Sequence, residues 1–117
     1  MGGRMWNYVV DDGGTPRLPN YAFTNATASG NTQVVAAQAG LRIRVVSYGV
    51  AVIGAVNVKF QSATTDISAT FPLGAKGTLV MPFSETGWFQ TNVGAALNIN
   101  LSAATTTGCQ VVWIQAT

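Results

Sequence analysis

The chain contains no histidine. That removes the imidazole base of a Ser-His-Asp triad or a Cys-His pair, the usual means of activating a side-chain nucleophile. It holds one cysteine, Cys109, so neither an internal disulfide nor a Cys/His zinc site can form. Charge is scarce too: 9% of the residues are charged, with four acids and six bases, against roughly 25% in an ordinary soluble domain. Four acids leave little scope for the paired carboxylates of a glycosidase. Six bases would all be consumed by a DNA contact of about six phosphates, so no nucleic-acid partner is expected. Apolar runs are broken by Gly49, Gly54 and polar residues before they reach the ~20 residues that span a bilayer.

The opening Met1-Gly2-Gly3-Arg4-Met5-Trp6 lacks the apolar stretch of a signal peptide. Trp6 also stands where a myristoylation motif needs Ser or Thr. No membrane, metal or cofactor is expected, nor an enzyme, and the lone thiol fits synthesis in a reducing cytoplasm. Asp11-Asp12-Gly13 begins like a calcium loop but has no third carboxylate near it in sequence. Gly13-Gly14-Thr15 lacks the spacing and the lysine of a phosphate loop.

What is present reads as β structure. There are 14 threonines and many valines, and few strong helix formers. Leu41-Arg42-Ile43-Arg44-Val45, Val56-Asn57-Val58-Lys59-Phe60-Gln61 and Leu97-Asn98-Ile99-Asn100-Leu101-Ser102 alternate apolar and polar residues, the period of half-buried strands. Val111-Val112-Trp113-Ile114 is apolar on both faces, as in a strand buried between layers or at a subunit contact. Turn residues separate these runs, as at Phe71-Pro72-Leu73-Gly74 and Ser84-Glu85-Thr86-Gly87. About eight strands are predicted, over 32–37, 41–53, 55–62, 66–71, 77–83, 87–92, 95–102 and 109–116. Gly49 is a candidate bulge, Gln33–Gln38 could instead form a short helix, and Pro82 puts 77–83 at an edge or ends it early. The expected fold is all-β, an antiparallel β-sandwich or jelly roll.

Residues 1–31 differ in composition. They hold Pro16, Pro19 and five glycines, with Trp6, Tyr8, Tyr21 and Phe23 among polar residues. This reads as an extended N-terminal arm whose aromatics dock onto something, either its own domain or a neighbour, leaving 32–117 as the β-sandwich domain. Six bases against four acids cannot all pair internally, so Arg17, Arg42 and Arg44 join those four aromatics as candidate inter-subunit or capsid contacts. A surface of Thr, Ser, Asn, Gln and Ala in place of charge suits large neutral contacts, because permanent interfaces are depleted in charge.

The ordered pieces Gly40-Leu41-Arg42-Ile43-Arg44-Val45-Val46-Ser47-Tyr48, Val58-Lys59-Phe60-Gln61-Ser62, Asp66-Ile67, Phe71-Pro72-Leu73, Gly87-Trp88-Phe89 and Ala96-Leu97-Asn98-Ile99-Asn100-Leu101-Ser102 resemble small structural proteins encoded beside capsid genes in tailed bacteriophages. The resemblance covers about residues 32–117. These are jelly-roll cement, or decoration, proteins that sit as trimers on the capsid exterior. The resemblance implies a virion protein on the outside of the head, with the major capsid protein and its own copies as partners. It implies no catalytic residue. A tail or fibre module binding a host-surface glycan is the alternative. A free-standing carbohydrate-binding module ranks below it, for want of a secretory signal.

Overall fold

The computed structural model describes residues 9–117. Alternation builds its two sheets. In β11 (Leu97–Leu101) the residues Leu97, Ile99 and Leu101 are fully buried while Asn98 and Asn100 face outward. β5 (Arg42–Val52), β6 (Val56–Ser62) and β12 (Thr107–Ala116) carry the same pattern at greater length. The shorter strands are β1 (Val10–Asp12), β2 (Thr15–Arg17), β3 (Asn20–Ala26), β4 (Gly30–Val35), β7 (Thr65–Asp66), β8 (Phe71–Leu73), β9 (Thr78–Met81) and β10 (Phe89–Gln90). Among the described residues there is no helix.

One sheet runs β3-β12-β5, and the far side of β5 is shared by β9 and β10. The other runs β4-β11-β6, and the far side of β6 is shared by β7 and β8. All pairs are antiparallel. From β3 to β6 each successive strand changes sheet, and β11 and β12 again lie opposite each other. The resulting orders, β3-β12-β5-β9 and β4-β11-β6-β8, are those of a jelly roll. Between the sheets, Tyr48, Phe60 and Phe89 form an aromatic centre with ring centroids 4.8–5.2 Å apart. The β11 aliphatics and the valines of β5, β6 and β12 surround it.

Several expectations need correction. The 1–31 arm contains a full strand: β3 pairs with β12 from Trp113↔Asn20 to Thr107↔Ala26, and β4 begins at Gly30. The sandwich therefore begins near Asn20, not near residue 32. The alternation of β3 was hard to read because its inward residues Ala22, Thr24 and Ala26 are small while Tyr21 and Phe23 point outward. The Gln33–Gln38 stretch is strand through Val35. The expected 66–71 strand is two short pieces, β7 and β8, because the chain crosses between them with Ile67 N–H on the Phe60 carbonyl and Ser68 Oγ accepting from Phe60 N–H. Gly49 is in register with Gln110 and Val80, and the bulge falls at Val46, between Val112↔Ser47 and Trp113↔Val45. Strand β9 stops at Met81, immediately before Pro82.

The bulge has a structural consequence. It brings both Val46 and Ser47 onto the outer face of the first sheet, where Val46 and Ile114 form a small second core. The β1–β2 hairpin covers that core with Val10, which is fully buried. The hairpin turns at Gly13 and Gly14, both at positive φ, as a two-residue turn between paired strands requires. Asp11-Asp12-Gly13 is thus a hairpin corner, with Asp11 Oδ1 accepting from Gly14 N–H at 3.1 Å. Strand β12 is apolar on both faces because it has core on both sides.

Candidate docking face

The outer face of the first sheet has two halves. The hairpin half is closed by an ionic latch. Asp12, almost fully buried, accepts from Thr117 N–H at 3.0 Å and lies 3.4 Å from Arg44 Nη2 and 3.5 Å from Arg17 Nε. The Arg17 contact is an ion pair without the alignment of a hydrogen bond. Arg44 also donates from Nε to Gln90 Oε1 at 3.1 Å. The Thr117 N–H, followed by the two guanidinium groups, holds the Asp12 carboxyl below its ordinary value against the opposing effect of burial.

Among the described residues, the other half is open. Cross-strand rows can be read from the register: Asn25, Gly108 and Ala51 with Thr78, then Phe23, Gln110 and Gly49 with Val80, then Tyr21, Val112 and Ser47. Gly49, Gly108, Ala51 and Ser47 keep the middle of this face low, while Tyr21 and Phe23 stand on one side and Val80 on the other. The result is a trough of about 1160 Å³. Tyr21 and Phe23 form one wall, 78% and 74% exposed. Val80 and Phe83, 74% and 44% exposed, form the other. A Cβ placed on Gly49 would meet nothing within 4 Å, and one on Gly108 only Asn25 Oδ1 at 3.7 Å. With no side chain at either position, the strand backbone lies bare at the floor. No lining residue is charged. Cys109 lies beneath this floor on the core side, its thiol pushed up to about 12 by burial.

The outer face of the second sheet differs. Three of its outward amides are occupied: Asn100 donates to Asn31 Oδ1 at 2.8 Å, and Asn98 and Asn31 both donate to the Ala63 carbonyl. Lys59 and Gln61 both bind Asp66.

The residues singled out in the sequence fall into three groups. Tyr21 and Phe23 stand together on the trough wall. Arg17 and Arg44 meet on Asp12 in the latch, while Arg42 reaches across to the Thr91 carbonyl at 3.2 Å. Trp6 and Tyr8 lie outside the described residues. Sequence reading missed Gly49 and Gly108 as a floor and Val80 and Phe83 as a wall. A glycine inside an eleven-residue strand was the available signal. Among the described residues no three of His, Cys, Asp and Glu gather as a metal site.

No family model matches the chain, and no curated protein does. Among solved structures it is similar to the capsular polysaccharide assembling protein CapF of Staphylococcus aureus, with 15% identity and a TM-score of 0.28. That match covers 87% of this chain and 31% of the other, so the chain spans about a third of that structure, and a likeness this distant carries neither fold nor function.

Proposed function

We propose that this chain is a structural virion protein, a cement protein that binds the outside of a phage capsid as a homotrimer. In this role it contacts the major capsid protein and opposes separation of capsid subunits. The observation that carries the reading is an uncharged, open apolar trough on one face of a jelly roll whose other face is internally hydrogen-bonded. Such a face is built to be covered rather than to perform chemistry. The resemblance of the sequence pieces to phage cement proteins supports the choice of a phage head as the particle. Individually modest contacts suffice for the role, because many copies act on one shell.

Purified protein should co-sediment with phage heads that lack it and should raise the temperature at which those heads release DNA. Failure to bind such heads overturns the reading. The aromatic wall beside the amides of Asn25 and Gln110 also suits a sugar ring. Binding on a glycan array, without head binding, would favour the tail or fibre module instead.

A further inference from the structure

We propose that the open trough is where copies of this chain meet, with the Tyr21 and Phe23 ridge of one copy seated in the trough of the next. The inference takes the oligomer from the proposed function but does not need the capsid. Four observations identify the occupant as a second copy.

The face carries both halves of a contact. It carries a projecting ridge and a recess side by side, and the recess has a glycine floor that admits a ring down to the backbone. Repeating that contact head to tail closes a ring when the rotation allows. The face is also neutral, so two copies can meet without burying a charge, and no oppositely charged partner is selected.

Among the described residues, the sheet edge beside the ridge is unguarded. β3 ends its sheet over seven residues without a charge or a proline, although natural edges are protected by such features or kept short. The opposite edge is short: β9 has four residues and stops at Pro82, and β10 has two. On the second sheet β7 has two residues and carries Asp66 and β8 contains Pro72, while β4, at six residues, shares the lack of charge and proline.

The size fits a protein surface. The trough, at about 1160 Å³, exceeds the roughly 300–1,000 Å³ of a small-ligand pocket. Taking about 200 Å² for a whole aromatic side chain, Tyr21 and Phe23 expose roughly 300 Å². Counted with the trough surface that receives them, the contact buries on the order of 600 Å², the central patch of an interface rather than its full extent.

Cysteine pairing tests this directly. Positions 23 and 49 of one chain are two strands apart, about 10 Å, beyond the reach of a disulfide. Phe23→Cys and Gly49→Cys chains, differently tagged and co-expressed, should therefore cross-link between copies on oxidation, and the mixed pair should exceed either self-pair. Cys109 is buried with a raised thiol pKa, so it adds no background. The Tyr21→Ser/Phe23→Ser double variant should weaken self-association about tenfold or more while its melting temperature holds, since both side chains are exposed. Dominant Phe23→Cys self-pairs, or a double variant that stays fully oligomeric, would overturn the inference. A chain lacking residues 1–8 should still cross-link; if it does not, that segment fills the trough and the inference falls. A monomeric double variant that still coats heads leaves both proposals standing. Cross-linked oligomers that ignore heads would sink the capsid alone.

Discussion

Asp12 shows how one carboxylate ties the chain's ends together. Its folded pKa is lowered, so its contribution to folding is complete above the unfolded value near pH 4. That contribution is lost as pH falls through the folded value. Asp12→Asn should cost about 1–3 kcal/mol at pH 7, discounted because both guanidinium groups reach water. Urea midpoints at pH 7 and pH 3 check it: the gap between wild type and variant should narrow at pH 3. An unchanged gap would mean that Asp12 acts through shape rather than charge. Ile99 offers a contrasting case. It is fully buried between the sheets, so Ile99→Ala should cost about 2–5 kcal/mol. Asn98→Ala, which loses one amide bond to the Ala63 carbonyl, should cost about 1 kcal/mol. Equal costs would mean that the outer face of β11 is buried at a contact.

Among the elements, β3 and the hairpin separate two kinds of N-terminal truncation. Removing residues 1–18 takes away the cover over Val46 and Ile114, and losing the burial of Val10 alone is worth about 1.5–3 kcal/mol. The sandwich should still unfold cooperatively, at a lower denaturant midpoint. Removing residues 1–31 also strips β3 from β12, and that chain should lose its cooperative transition, as followed by circular dichroism. Cooperative folding of the shorter chain would show that β3 is dispensable. The same elements explain what the sequence could reveal. β5, β6, β11 and β12 were legible because large aliphatics alternate with polar residues. β3 was not, because its large residues face outward and Pro16 and Pro19 stand just before it. Half of the candidate face was legible for a related reason: isolated aromatics such as Tyr21 and Phe23 are conspicuous. Val80 and the glycine floor become a site only when three distant strands adopt one register.

In the whole molecule, charge is concentrated away from the trough. The latch binds Asp12 to Arg17 and Arg44, and the second sheet binds Asp66 to Lys59. Assembly through a neutral face should therefore be insensitive to salt, unlike an ion-paired contact, which weakens as the screening length shrinks to about 3 Å at 1 M. Sedimentation velocity from about 0.05 M to about 1 M sodium chloride should give one unchanged oligomer. Dissociation at high salt would point to an electrostatic seam. The central claim, that this jelly roll is a coat element, is tested most directly by electron cryo-microscopy of phage particles containing it. The expected map shows the sandwich on the outer surface of the head in clusters of three, with the face bearing Tyr21, Phe23 and Val80 covered by a neighbouring copy. Bare heads with the chain in the tail, or a bound chain whose trough faces solvent, would contradict the account.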